Sequence, residues 1–158
     1  MNRSKLEYLL QDHHKDAFLW ARHCCRYDSD DAHEVLQKTY LKVLEGKAVY
    51  SEQSSFKTWL FSVIRFTALD HLKSKPIICD PGINGESVEL PFETETINYR
   101  KLMARLSDRQ HQVLLLAFYH GMTLTEIAEV TRLHIGTVRT HYERGKNALK
   151  QLIVKEHA

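Results

Sequence analysis

Cysteine, proline and glycine are all scarce: three, three and six of 158 residues. Cys24, Cys25 and Cys79 make neither a metal-ligand spacing nor an even disulfide set, and neighbouring cysteines rarely pair. A disulfide-stapled secreted fold is therefore not expected, and small, mostly buried thiols in a reducing cytosol are the better reading. The N-terminus lacks a signal-peptide core and no apolar run reaches membrane-spanning length, so the expectation is a cytoplasmic protein without membrane insertion. There is no P-loop, no nucleophile elbow and no carboxylate pair in a supporting context. No enzyme activity, catalytic residue, cofactor or metal is expected.

The apolar fraction of 43% and charged fraction of 27% are those of an ordinary globular chain. The net charge of +2 conceals an uneven distribution. Residues 1–75 hold 12 Lys/Arg against 10 Asp/Glu, residues 76–96 none against 5, and residues 97–158 10 against 5. Every proline (Pro76, Pro81, Pro91) falls in the middle segment with Gly82 and Gly85, which reads as an extended linker kept solvated by Asp80, Glu86, Glu89, Glu93 and Glu95. The expected architecture is all-α: two small helical domains, 1–75 and 97–158, joined by a flexible acidic linker.

Helical periodicity marks about four helices in the first block. Leu6, Leu9 and Leu10 open one, and Ala17, Phe18, Trp20 and Ala21 continue into a second. Asp28, Ser29, Asp30 and Asp31 offer N-caps to a helix from about Ala32 to Glu45, with Gly46 as its stop. Phe56, Trp59, Leu60, Val63 and Ile64 begin a strong helix reaching about Lys75. In the second block Leu102, Met103 and Leu106 suggest a short helix. Ser107 then caps another, whose buried side is Val113, Leu114, Leu116, Ala117 and Phe118.

From Gly121 to Leu152 the chain reads as a short amphipathic helix, a tight turn and a donor-rich second helix, a helix-turn-helix. Val138 and Tyr142 continue its buried stripe. Thr137, Arg139, Thr140, His141, Arg144 and Lys146 point largely outward, as entry into a DNA major groove requires.

The segments DAHEVLQKTYLKVL (residues 31–44) and SFKTWLFSVIRFTALDHLK (residues 55–73) resemble the second conserved region of extracytoplasmic-function sigma factors, the small group of the sigma-70 family. The segment from Leu106 to Leu149 resembles their fourth region. Four positions depart from the family pattern: His33 interrupts an acidic stretch, Phe66 replaces an Asn, Arg132 replaces the turn glycine, and Gly145 replaces a small helix former.

The resemblance implies a subunit that binds core RNA polymerase, delivers it to selected promoters and helps open the duplex. Asp31, Glu34, Gln37, Lys38 and Tyr40 would meet the polymerase. Lys57, Arg65, Phe66, His71 and Lys73, with the preceding loop 47–55, would grip the melted −10 element through cations and unstacked-base contacts. Trp59 is read as core before base-stacking. His134, Thr137, Arg139, Thr140 and His141 would read −35 base edges, with Arg144 and Lys146 on phosphates. Core polymerase and promoter DNA are the implied partners, with an anti-sigma protein as a further candidate. The rival is a stand-alone helix-turn-helix regulator that binds an operator without polymerase. A less favoured one is a metal or redox module built from His13, His14, His23, Cys24 and Cys25.

Overall fold

In a computed structural model the structure describes residues 2–75 and 99–156, which fall in two compact units, residues 1–86 and 87–158. The acidic segment 76–96, with Cys79, lies outside the described residues. All regular structure among the described residues is helical.

The first unit contains α1 (Arg3–Asp12), α2 (His14–Cys24), α3 (Ser29–Leu44) and α4 (Phe56–Lys73). Each N-terminus but that of α2 has a side-chain cap: Asn2 accepts from the Lys5 amide, Asp28 from Asp31 and Ser55 from Thr58. Helices α2, α3 and α4 pack mutually, and α1 lies on α3. Small residues at the crossings, Ala17, Ala21, Ala32 and Ala68, let the helices approach around fully buried Trp20, Val35, Leu60, Phe61 and Ile64. The Trp20 indole stacks on Phe61 at 5.6 Å between centroids and donates its N–H to the Phe61 carbonyl at 3.1 Å. The one polar atom of this large side chain is thus satisfied inside the core. Gly46, at φ +77°, ends α3 as its sequence position suggests.

The second unit contains α5 (Tyr99–Ala104), α6 (Asp108–Leu114), a π-helical turn (Leu115–Tyr119), α7 (Leu124–Thr131) and α8 (Ile135–Glu156). Ser107 caps α6 through the Gln110 amide. Helices α5, α6 and α7 all pack on α8. The π-helical turn corrects one expectation. A bond from the His120 amide to the Leu115 carbonyl (3.2 Å) inserts an extra residue into the turn, so Leu116 stays buried while Phe118 swings out against Tyr142. Gly145 also gains a reason. A Cβ there would sit 3.1 Å from Gln110 Cβ and 3.2 Å from Leu114 Cδ1, so the glycine lets α6 reach α8.

Candidate nucleic-acid interface

In the second unit, α7 opens with a reciprocal capping box: Thr123 Oγ1 accepts from the Glu126 amide and Glu126 Oε1 from the Thr123 amide. The turn that follows keeps the geometry a glycine would supply. Arg132 adopts φ 61°, ψ 23°, the left-handed conformation, and its side chain is exposed. His134 precedes α8, and its Nδ1 accepts the Gly136 amide at 3.1 Å. With Nδ1 accepting, the neutral ring carries its proton on Nε2, leaving an exposed donor at the helix start.

Thr137, Arg139, Thr140 and Arg144 are exposed on α8, whereas Val138 is fully buried. They do not share one face. At about 100° per residue, Thr137, Thr140, His141 and Arg144 fall within an arc of roughly 100°, while Arg139 lies about 200° from Thr137. Arg139 and Lys146 thus occupy the other flank, where the Lys146 ammonium rests over the Tyr142 ring at 5.3 Å. The Thr140 hydroxyl donates to the Gly136 carbonyl, so it is left as an acceptor. His141 departs from the outward expectation: it is half-buried and its Nδ1 is buried without a hydrogen-bond partner.

The first unit corrects three further placements. Asp31 and His71 are both buried, so neither is an outward contact. His71 Nε2 lies 3.0 Å from Asp31 Oδ1 and 3.3 Å from Glu34 Oε2, and Lys38 Nζ lies 2.9 Å from His71 Nδ1. Lys75 completes the network with an ion pair to Asp31. Burial acts to raise the Asp31 carboxyl, but hydrogen bonds from Lys75 and His71, with their charges, outweigh it and hold it below the usual carboxylate value. Tyr40 is the third: it is half-buried, its hydroxyl lies 2.8 Å from His14 Nδ1, and burial pushes it up to about 12. Glu34, Gln37 and Lys38 are exposed on α3, as expected.

On α4, Phe66 is 67% exposed and Lys73 is exposed, but Lys57 is half-buried and paired with Asp16 at 3.4 Å. Arg65 is half-buried. The loop 47–55 is pinned by an aromatic cluster that sequence reasoning missed: Tyr50 packs at 5.5 Å from Phe56 and 5.3 Å from Trp59. The signal was there in three large rings within ten residues. Trp59 is half-buried in that cluster, neither deep core nor free platform.

The less favoured thiol and histidine module does not assemble. His13 stacks on Phe56, His23 on Trp20, and Cys25 is a buried thiol pushed up to about 12, chiefly by burial. Asp31, Glu34 and His71 are the described residues that place three potential ligand atoms within 4.8 Å, and the Lys75 ammonium already neutralises Asp31. No helix among the described residues is long and apolar enough to cross a membrane.

Residues 9–76 match the family profile of sigma-70 region 2, and residues 97–149 that of sigma-70 region 4. RNA polymerase sigma factor SigV of Bacillus subtilis is 24% identical over 92% of this chain and 87% of its own length. The ECF RNA polymerase sigma factor SigX of the same organism is 26% identical over 92% and 81%. Among solved structures, the sigma factor RpoE in complex with the anti-sigma factor NepR, from Bartonella quintana, has a like fold. Its TM-score is 0.72 at 21% identity, covering 94% of this chain and 96% of that one.

Proposed function

Because the chain belongs to the sigma-70 family, in its extracytoplasmic-function group, it is an RNA polymerase sigma factor for promoter-specific initiation, and we propose which of its residues carry each contact. The observation that supports the whole reading is the presence of region 2 and region 4, in that order, in one short chain. Residues 1–75 bind core polymerase and the −10 element, residues 97–158 bind the −35 element, and residues 76–96 link them. Sigma factors are initiation factors. The place of action is the cytoplasm, where polymerase and DNA are.

Glu34, Gln37 and Lys38 present polar groups on α3 for core polymerase, where they set orientation and encounter rate more than affinity. Asp31, His71 and Tyr40 act behind them by fixing α3 against its neighbours. The −10 strand is held by Phe66 and Lys73 on α4 with the aromatic-pinned loop 47–55. Exposed rings and cations suit unstacked bases and backbone phosphates, and a pocket for an extruded base supplies both melting and specificity. The −35 duplex takes α8 in its major groove, with His134, Thr137 and Thr140 towards base edges and Arg144 towards phosphate. Arg139, on the other flank, reads a base only if the helix axis is rolled towards it. An anti-sigma protein is a further proposed partner, as the like-folded RpoE is bound by one.

Transcription with purified core polymerase and genomic promoter fragments tests this reading. We expect initiation from a restricted set of promoters that needs both core and this chain. Tight binding to a palindromic operator without core, or no complex with core where another sigma factor forms one, would instead favour the stand-alone regulator.

A further inference from the structure

Between α3 and α4 runs a cleft of about 360 Å³ lined by Lys38, Lys42 and Lys47, by the acids Glu45 and Asp70, and by Leu41 and Thr67. Lys47 at its rim is paired with Glu45 at 3.1 Å. Lys38 and Lys42 differ. One helical turn apart on α3, neither has a carboxylate partner among the described residues, and each is directed by a neutral acceptor. Lys38 Nζ points at His71 Nδ1 (2.9 Å) and Lys42 Nζ at Thr67 Oγ1 (3.2 Å), the latter also lying over the Phe66 ring at 5.7 Å.

The acceptors are themselves fixed. The Thr67 hydroxyl donates to the Val63 carbonyl at 2.7 Å, so its oxygen can only receive from Lys42. His71 Nε2 faces Asp31 and Glu34, which keeps the ring proton there and Nδ1 open towards Lys38. An ammonium has three N–H donors, so one bond orients each lysine and two remain for a ligand. The result is two cations held in place without being neutralised, in a concavity of small-molecule size. Like charges one turn apart repel, and a shared anion removes that repulsion.

We propose that this cleft is a phosphate-binding site, in which Lys38 and Lys42 together hold one phosphate group. Asp70 in the wall disfavours a purely anionic ligand filling the cleft and suits one that carries N–H or hydroxyl donors beside its phosphate, as nucleotides do. The phosphate comes either from a free phosphorylated molecule or from the backbone of a single DNA strand. In either case the ligand competes with core polymerase for Lys38.

The free full-length chain is titrated at low salt with inorganic pyrophosphate, with ATP, and with an unstructured single-stranded oligodeoxynucleotide. No polymerase or promoter is present, so the outcome is independent of the promoter reading. The Lys38→Gln/Lys42→Gln double variant is compared with a Lys5→Gln/Lys15→Gln control that removes the same charge from α1 and α2. ATP binding weakened about tenfold in the first variant alone, with pyrophosphate bound less tightly than ATP by the unaltered chain, assigns the free ligand. Oligonucleotide binding weakened in the same way, with the small anions silent, assigns the strand backbone. Lys42→Arg should keep most of the affinity, and unchanged circular dichroism shows that the variants fold. Equal binding by both double variants in all three titrations overturns the site.

Discussion

Asp31 closes the hydrogen-bonding of a buried histidine, so its removal should be felt as lost stability. Asp31→Ala leaves His71 Nε2 short of its nearest acceptor and should cost about 1–3 kcal/mol in urea unfolding at pH 7. The pH dependence has a definite sign. The folded-state carboxyl lies below its ordinary value of 3.8, so its contribution is present above that value and is lost as pH falls through the lower folded value. The gap between wild type and Asp31→Asn should therefore narrow below about pH 4. An unchanged gap at pH 3 would remove the carboxylate from the account. Arg132 supplies a second test. A non-glycine residue at φ 61° carries strain, so Arg132→Gly should raise stability by up to about 1 kcal/mol, while the β-branched Arg132→Val should lower it by at least as much. Equal melting temperatures for the two variants would show that the turn is not strained. The left-handed position was legible in the sequence because the family places glycine there. The burial of Asp31 and His71 was not, since a hydrogen bond between residues forty apart leaves no periodicity to read.

Helix caps and helix crossings differ in how much of them a sequence displays. Asp28, one of four candidates, and Ser107 cap as expected, and Ser55 and Thr123 cap as well, because a cap is a local event within four residues. The close approach of α6 to α8 is not local, and Gly145 read alone looks like a weak point. Its surroundings reverse that expectation: Gly145→Ala should destabilise by roughly 1 kcal/mol or more, overpacking against Gln110 and Leu114 exceeding the gain in helix propensity. A higher melting temperature for Gly145→Ala would mean that Leu114 gives way easily. The π-helical turn was likewise invisible, since Leu115–Tyr119 has the apolar spacing of an unbroken helix and the extra residue shows only in the backbone bonding, as in that from His120 to Leu115. On α8, periodicity separated buried from exposed residues well but did not resolve the exposed ones into two flanks. Promoter binding by core with Arg139→Ala and with Arg144→Ala should resolve them. A loss of about 1–3 kcal/mol confined to one −35 position assigns Arg139 to a base edge, and uniform weakening with a smaller salt slope assigns it to phosphate. Arg144→Ala should show the uniform pattern.

The chain falls into two helical units, and the place of the joint between them was the most legible feature of all. Prolines confined to one stretch and its net negative charge between two net positive blocks mark the joint, and two separate family regions fall on either side. What the sequence could not give was the role of α3 and α4 as a pair, because the ion network and the cleft need both helices in place. The two tryptophans, Trp20 and Trp59, both belong to the first unit. Trp20 is sealed between Phe61 and His23, while Trp59 is half-exposed beside the loop assigned to the −10 strand. Indole emission is therefore an intrinsic optical label for one half of the molecule. Its denaturation midpoint tracks that half alone, whereas far-ultraviolet ellipticity weighs both, so separate midpoints would reveal independent melting. The same label lets strand capture at the loop be followed through Trp59 quenching, with Trp20 as a silent internal standard and no dye attached.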